Sequence, residues 1–423
     1  MKHLRSLIFL FAANTISGFA QGITMLSIPW FLIQTPNGNF KNAAMVAGVT
    51  LASLFWSMYA GTLIDKYNRK HIFQNLTGVD ACILLGISVY GFMTGSVPFI
   101  LICTVYTATI FTYNVHYPNL YAFVQELFEP QYYARVNSAI EIQGQTTNFI
   151  GMMVGGILLD GPPPVEWWPM WLDFEPWTLH EIFLLDGSTY VLGFLLISMI
   201  PYRPARDKKI DQGSVVSRIA QGFAYLKENK PIFIFGITTH VLFFSLLVII
   251  QVAMPVYVND YLQKGAFILS SFKGFYAIGA VTAGLLGLSV FVSRYNLIRQ
   301  IMVLLAIAGA MYFLLFLTKS IFLTLFGAFL VGICNAGVRI LRITYLVRIV
   351  PNRVIGRVNS FLGVVNVMMR AGFIAFMTIP FFSAEGNGTH IIYAFGLLAA
   401  ILWISVGVMA WWFGRFDHSF ANG

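Results

Sequence analysis

The sequence predicts an all-α membrane protein with twelve transmembrane helices in two six-helix halves, and three observations predict it. Hydrophobic residues make up 58% of the 423 residues and charged residues only 10%, whereas a soluble domain carries about 25% charge. The apolar stretches 7–33, 43–64 and 232–258 each exceed the roughly 20 residues that a helix needs to span a bilayer. Short motifs of the first half recur in the second half in the same order.

The spans follow from the apolar stretches taken in chain order. The first stretch is too long for a signal peptide and has no small-residue cleavage site. The predicted spans are 6–34, 42–65, 71–94, 97–127, 134–160, 180–201, 231–258, 266–293, 296–318, 320–349, 356–382 and 390–414.

The distribution of charge predicts the topology. Most of the 26 basic residues fall in segments that are cytoplasmic if the N-terminus is, and the outer loops hold only Lys41, Lys264 and Lys319. This positive-inside bias places both termini in the cytoplasm. The net charge of +9 therefore follows the membrane topology and does not indicate a nucleic-acid partner.

Repeated motifs indicate that the chain is a duplication. The tetrapeptide Arg-Val-Asn-Ser occurs at Arg135–Ser138 and at Arg357–Ser360, 222 residues apart, and Pro29 and Pro255 end the first and seventh spans, 226 residues apart. A Tyr-Asn pair also follows the second and eighth spans. We therefore predict an N-terminal half, 1–201, and a C-terminal half, 231–423, a plan known among transporters.

Two segments outside the spans are unusual. Residues 202–230 form a basic cytoplasmic linker in which Val215, Ile219, Phe223 and Leu226 share one helical face. An amphipathic helix on the inner leaflet and a plain helical linker both fit this pattern. The outer loop 161–180 is rich in proline and tryptophan, which fits an interfacial anchor or a lid over the outer mouth.

Several classes of protein are excluded by what the sequence lacks. Cys82, Cys103 and Cys334 all fall inside predicted spans, so we expect no disulfide framework, and their spacing matches no metal site. No phosphate-binding loop of the form Gly-x4-Gly-Lys-Ser/Thr occurs, which argues against ATP hydrolysis. We expect no cofactor and no enzyme activity.

A loop motif connects the chain with a known family. After span 2 the sequence "GTLIDKYNRK" places Gly61, Leu63 and Asp65 before the basic residues Lys66, Arg69 and Lys70. This pattern resembles the signature between spans 2 and 3 of the major facilitator superfamily, and the resemblance covers the whole chain. Asn68 replaces a glycine that is usual there, and asparagine tolerates a left-handed turn. The resemblance implies the major facilitator fold and secondary transport by alternating access.

Other segments resemble the drug, macrolide and siderophore efflux branch of that family, which is associated with drug resistance. They are "IVPNRVIGRVNSFLGVVN" entering span 11 and "FTYNVHYPNLYAFVQELF" in span 4. The glycines of "GMMVGG" in span 5 partly match an antiporter pattern, with Met152 in its proline position, although close helix packing would explain them equally. The resemblance also implies a conformational latch on the cytoplasmic side, which we expect at Gly61, Asp65, Arg69, Arg135 and Arg357.

Ionisable side chains inside a membrane cost several kcal/mol unless they are paired or face a wet cavity. Six stand out, namely Asp80, Glu141, Lys273, Arg339, Arg342 and Arg370. Arg339 and Arg342 share a helix face, and Arg370 lies near the predicted midplane. The three arginines are therefore candidates for a basic cavity wall that binds an anion. Structural pairing, for example with Glu141, is the alternative, and Lys273 can snorkel to the outer surface.

Two acids are candidates for proton coupling. Glu141 lies among Gln143, Gln145 and Asn148, and a desolvated carboxylate can exchange protons near neutral pH. Asp80 in span 3 is the second candidate. A local ion pair would explain either acid without any coupling.

Further polar residues are candidates to line the substrate cavity. Asn14 and His240 occupy matching positions on spans 1 and 7, and Tyr113, Asn114 and His116 lie together on span 4. Hydrogen bonding within the helix bundle is the alternative for each of them.

These features predict a monomeric, multi-pass transporter of the inner or plasma membrane, whose partners are a small-molecule substrate, protons and the lipid bilayer. The expected activity is proton-coupled export, as an antiporter, of an amphipathic or anionic organic molecule such as a siderophore or an antibiotic. The alternatives are an uptake symporter for an organic anion or metal complex, a lipid or lysolipid translocator, and a receptor that does not transport.

Overall fold

The computed structural model describes residues 4–127, 129, 132–162, 173–201, 215–290, 297–386 and 388–414. Within these ranges the secondary structure is helical. The long helices, numbered here in chain order, are α1 (Leu4–Ile33), α2 (Gly38–Lys66), α3 (Arg69–Thr94), α4 (Phe99–Leu127), α5 (Tyr133–Asp160), α6 (Leu179–Ser198), α7 (Val215–Glu228), α8 (Lys230–Tyr261), α9 (Ala266–Val290), α10 (Leu297–Leu317), α11 (Ile321–Ile349), α12 (Asn352–Phe376) and α13 (Ile392–Gly414).

Each of the helices named above except α7 overlaps one predicted span, and α7 is the helix of the predicted linker. Among the described residues, ten helices are long and apolar enough to cross a membrane. The helices α2 and α5 are long enough to do so but are not among the ten. The protein is therefore a helical multi-pass membrane protein, while twelve spans with two cytoplasmic termini stay a prediction. Half of the predicted outer-loop anchor or lid, residues 163–172 of 161–180, lies outside the described residues.

Local sequence explains where several helices begin and end. Asn68 accepts hydrogen bonds from the backbone amides of Lys70 and His71 and so caps the start of α3. Its backbone is extended, with φ −64° and ψ 122°, so the left-handed turn that we considered for this position is not formed. At α6, Thr178 and Glu181 form a capping box. Gly95, with φ 75°, ends α3 in the left-handed conformation that glycine adopts without strain.

The chain divides into two compact units. Unit 1 comprises Met1–Thr35, Gly48–Asp211 and Lys264–Ser270, and unit 2 comprises Pro36–Ala47, Gln212–Gln263 and Ser271–Gly423. Helices α2 and α9 each contribute to both units. The predicted halves 1–201 and 231–423 remain a prediction about the duplication.

Unit 1 is built around α1, which packs against α4, α5 and α6. Glycines permit the close approach of α1 and α5. A Cβ atom added to Gly22 would lie 2.7 Å from the carbonyl oxygen of Asn148, and one added to Gly151 would collide with the carbonyl oxygen of Phe19. This geometry supports the packing interpretation of the glycines in span 5. At the end of α5, the Asp160 carboxylate accepts hydrogen bonds from the backbone amides of Ala266 and Phe267 (2.8 and 2.7 Å) at the start of α9.

Unit 2 contains the amphipathic helix α7, which packs against α12 and α8. The rings of Phe223 and Phe361 lie 5.2 Å apart, Leu226 is fully buried, and a Cβ atom added to Gly222 would collide with the carbonyl oxygen of Arg357. The apolar face of α7 is thus covered at least in part by protein.

Helix α8 changes its winding twice. It is α-helical over Lys230–Val248, π-helical over Ile249–Ala253, α-helical over Met254–Val256 and π-helical over Tyr257–Tyr261. Asn42, at the start of α2, donates its side-chain amide to the carbonyl oxygen of Gln251 in the first π segment (3.1 Å). Such segments interrupt regular backbone pairing and often occur at functional sites.

Candidate functional site

A chain of hydrogen bonds joins three helices in unit 1. The Nε2 atom of His116 on α4 donates to Oδ1 of Asn14 on α1 (2.9 Å), because an amide oxygen can only accept. The Nδ2 atom of Asn14 donates in turn to Oε1 of Gln143 on α5 (3.1 Å). Gln143 then donates to the carbonyl oxygen of Phe11 (2.6 Å) and to the Thr15 hydroxyl. The structure therefore brings the predicted cavity residues Asn14 and His116 together, although they lie 102 positions apart.

Asn14 and His116 border a cavity within unit 1 that has about 540 Å³ of empty space, part of it open to solvent. The walls mix apolar and polar side chains from α1, α3, α4 and α6. They are Leu10, Ala13, Asn14, Ser17, Gly18, Gln21, Phe73, Thr77, Thr112, Tyr113, His116, Tyr117, Tyr190 and Ile197.

Tyrosines connect this cavity to a second one between α4 and α5. Tyr113 and Tyr117 line both cavities, and their rings lie 4.9 Å apart. Tyr121, Gly144, Gln145 and Asn148 complete the second cavity. Asn114, the remaining span-4 candidate, is partly buried, and its Nδ2 atom has no hydrogen-bond partner among the described residues.

Asp80 lies deep in unit 1 beside an acid that we did not select from the sequence. Asp80 on α3 is 3% exposed and Asp186 on α6 is fully buried. The Thr24 hydroxyl of α1 donates to Oδ2 of Asp186 (2.6 Å), and the Thr112 hydroxyl of α4 faces Asp80. The two carboxyl groups lie close enough for their charges to repel. An acid inside the otherwise apolar span 6 was the signal that would have identified Asp186.

Unit 2 holds the predicted basic residues. Arg339 is exposed on α11, and Arg342, one turn later, is partly buried and donates weakly to the carbonyl oxygen of Thr239 (3.4 Å). Their charges act on each other, and Arg342 also acts on His240 of α8. Neither arginine forms an ion pair with an acid among the residues that the structure describes. Two adjacent cations without an acid are a favourable site for an anion.

The other unit 2 candidates differ in their surroundings. His240 donates through Nδ1 to the carbonyl oxygen of Gly236 (2.6 Å), and its own carbonyl accepts from Asn366 (3.3 Å). Arg370 is partly buried on α12. Lys273 is buried on α9 with 7% of its surface exposed. This burial does not match the snorkelling interpretation, which requires the ammonium to reach the surface.

The latch and one coupling candidate are described only in part. The side chains of Gly61, Asp65, Arg135 and Glu141 lie outside the described residues. Arg69 forms an ion pair with Glu126 of α4 (Nε to Oε1, 3.3 Å), and Arg357 is exposed near the start of α12. The two Arg-Val-Asn-Ser motifs lie at matching places, near the starts of α5 and α12.

Comparison with known proteins identifies the family. Residues 10–375 match the Major Facilitator Superfamily. The chain belongs to the Major Facilitator Superfamily. This membership makes it a membrane transporter and not an enzyme. No curated protein matches the sequence significantly.

Solved structures of other Major Facilitator Superfamily transporters resemble this chain along almost its whole length. A variant of the nucleoside transporter NupG is 14% identical, with a TM-score of 0.72, covering 96% of this chain and 98% of its own. A bacterial homologue of the iron transporter ferroportin, in an inward-facing state, is 15% identical, with a TM-score of 0.74 and coverages of 97% and 99%. A bacterial homologue of the human lysosomal transporter Spinster is 13% identical, with a TM-score of 0.66 and coverages of 100% and 98%. At these identities the likeness shows the fold alone.

Proposed function

We propose that this transporter exports an amphipathic or anionic organic molecule, such as a siderophore or an antibiotic, across the inner or plasma membrane in exchange for protons. The observation that carries the proposal is the pair Arg339 and Arg342, which has no acidic partner among the described residues. Their mutual repulsion is relieved when a carboxylate or phosphate group binds, and the planar guanidinium matches such groups in a bidentate manner. Arg370 and His240 are proposed to contribute to the same binding function.

The unit 1 cavity supports an amphipathic substrate. Its walls combine apolar side chains with the amide and imidazole groups of Asn14 and His116, which suits a molecule that carries both an apolar body and polar groups. Tyr113 and Asn114 on α4 are proposed to extend this polar surface.

Two further sets of residues are proposed to act in proton coupling and in the conformational change. Glu141 and Asp80 are proposed to bind the exchanged proton, since both lie on helices that pack in unit 1. Gly61, Asp65, Arg69, Arg135 and Arg357 are proposed to form the cytoplasmic latch of a monomeric transporter.

The alternatives predict different ligands or a different direction. An uptake symporter would move an organic anion or metal complex inward, and a translocator would move a lipid or lysolipid. The described residues contain no group of three or more His, Cys, Asp or Glu side chains that could hold a bare metal ion. A metal would therefore have to bind elsewhere or arrive within an organic complex, which the arginines would still recognise by its anionic groups.

A thermal-shift screen of the purified protein tests the substrate class, with siderophores, anionic antibiotics, cationic antibiotics and lysolipids as probes. We expect the largest stabilisation from an anionic siderophore or antibiotic, because binding to the folded state alone raises its stability by mass action. Preferential stabilisation by a lysolipid would instead support the translocator.

Inverted membrane vesicles test the direction and the coupling. The best ligand of the screen, in radiolabelled form, should accumulate inside inverted vesicles when their interior is acidic, and a protonophore should abolish the accumulation. Accumulation in right-side-out vesicles with an acidic exterior would establish the uptake symporter and reject export.

A further inference from the structure

Asp80 and Asp186 are both buried in the interior of unit 1, on helices α3 and α6, which pack against each other. Counted along their helices at about 1.5 Å per residue, Asp80 lies about 16 Å from the start of α3 and Asp186 about 10 Å from the start of α6. A bilayer core is about 30 Å thick, so both acids lie well inside it if these helices span the membrane.

Their environment cannot hold two negative charges cheaply. Asp80 is 3% exposed and Asp186 is fully buried. Among the described residues neither acid forms an ion pair, and Oδ2 of Asp80 and Oδ1 of Asp186 have no hydrogen-bond partner. The effective penalty for burying an ion is several kcal/mol, and two neighbouring carboxylates raise it further. Such pairs reduce the penalty by binding a proton.

The groups that face the pair come from every helix packed around it. Helix α1 contributes the Thr24 hydroxyl, which donates to Asp186, and has no charged group among its described side chains. Helix α4 contributes Thr112 beside Asp80, with His116 one turn along the same helix. Helix α6 contributes Tyr190, which faces both acids. None of these groups places a positive charge next to Asp80 or Asp186.

Two of these groups also connect the pair to the cavity. Thr112 and Tyr190 both line the unit 1 cavity, where Thr112 also faces Asp80 and Tyr190 interacts electrostatically with both acids. Hydroxyl groups can accept and donate hydrogen bonds at once, so they offer a route for a proton between the cavity and the buried carboxyl groups.

We propose that Asp80 and Asp186 form a proton-binding pair behind the cavity, reached through Thr112 and Tyr190. The proton binds one carboxylate oxygen as an O–H group and leaves from the same atom, so the pair changes its charge by one with no other bond made or broken. The coupling role of this site rests on the proposed function, but the binding of a proton does not.

Infrared spectroscopy of the reconstituted protein at neutral pH tests the pair directly, with no transported substrate. Protonated carboxylic acids absorb apart from carboxylates, and their band shifts in heavy water. We expect the native protein to show this band and D80N/D186N to lose at least half of it. The exposed Asp173 provides the control, and D173N should retain the native band.

Other results would contradict the proposal or assign the band to a different group. A native protein without the band, or a band that keeps more than half of its intensity in D80N/D186N, overturns the proposal. A band that disappears in E141Q instead assigns the proton to Glu141, and a band that disappears on addition of sodium chloride, but not choline chloride, assigns the pair to a metal cation.

Because asparagine resembles a protonated aspartic acid in shape and charge, D80N and D186N should fold, and size-exclusion profiles check this. If a variant does not fold, the native protein still tests the proposal, because the absence of a band that shifts in heavy water overturns it.

This experiment separates the two proposals. If the band behaves as expected but no anionic probe binds or is transported, the pair stands and the proposed substrate is wrong. If anionic probes are exported under a pH gradient and the band is absent, the proposed function stands and the pair is rejected.

Discussion

Asn14 uses the two ends of its side-chain amide differently. Its oxygen accepts from His116 and its nitrogen donates to Gln143, so the chain of hydrogen bonds has a direction that ends at the carbonyl oxygen of Phe11. An aspartate at this position could accept from His116 but could not donate to Gln143. The amide therefore fixes Nε2 of His116 as a ring nitrogen that carries a proton.

A second prediction at the scale of single residues concerns Arg342 of α11 and its role in binding an anion. We expect Arg342→Ala to weaken the affinity for an anionic ligand by about tenfold or more, since a charge-assisted hydrogen bond contributes about 1.5–3 kcal/mol and 1.4 kcal/mol corresponds to a factor of ten. The measurement is the dissociation constant of the best probe from the thermal-shift screen.

Arg348 provides the matched control, because it is an exposed arginine on the same helix. Arg348→Ala should leave the dissociation constant unchanged. Equal effects of the two substitutions would show that only overall charge attracts the ligand. Arg370→Ala should also weaken binding, and unchanged transport by that variant would remove Arg370 from the proposed site.

Glycines decide how closely whole helices approach. Helices α1 and α5 touch through backbone at Gly22 and Gly151, and this contact brings Asn14 and Gln143 within hydrogen-bonding distance. In a membrane, where lipid is as apolar as leucine, close backbone packing is one of the few forces that hold helices together. The polar network in the cavity thus depends on small residues two to three turns away.

The prediction at this scale compares two glycine substitutions in unit 1. Gly151→Ala should lower the free energy of unfolding by about 1–3 kcal/mol, because its Cβ atom collides with the carbonyl oxygen of Phe19. Gly86→Ala in α3 meets nothing within 4 Å and should be neutral, or stabilising by up to about 1 kcal/mol. Thermal unfolding in detergent measures both variants, and a stable Gly151→Ala variant would show that α1 and α5 are not held at this distance.

At the scale of the whole molecule, apolar length predicts the helices well. The predicted span 320–349 corresponds to α11, Ile321–Ile349, and the predicted span 97–127 corresponds to α4, Phe99–Leu127. Contacts between side chains that are distant in sequence were harder to predict than the helices. Asn14 and His116, which we chose from the sequence as cavity candidates, both line the unit 1 cavity, and their role in substrate binding stays a prediction. Asp186 was missed because the acid inside span 6 was not singled out, and its burial cannot be read from the sequence.

We also predict that α2 and α5 both cross the membrane. Neither helix is among the ten that composition alone assigns to the membrane. In a background without Cys82, Cys103 and Cys334, we expect an impermeant maleimide to label Gln34→Cys and Glu175→Cys from outside intact cells. Tyr67→Cys and Tyr132→Cys should be labelled only after the cells are opened. Labelling of both ends of one helix from the same side would show that this helix does not cross.

Because the winding of α8 changes, residue numbering alone does not identify side chains with equivalent orientations in the two predicted repeats. Each π segment, at Ile249–Ala253 and at Tyr257–Tyr261, accommodates about one extra residue per turn. One residue corresponds to about 100° around a helix of 3.6 residues per turn. Between the two segments, the side chains of Met254–Val256 are therefore turned about 100° from where a regular helix would carry them. His240 precedes the first segment, so its pairing with Asn14 in the duplication is unaffected. For residues at the far end of α8, equal positions in the two repeats no longer imply that the side chains point the same way.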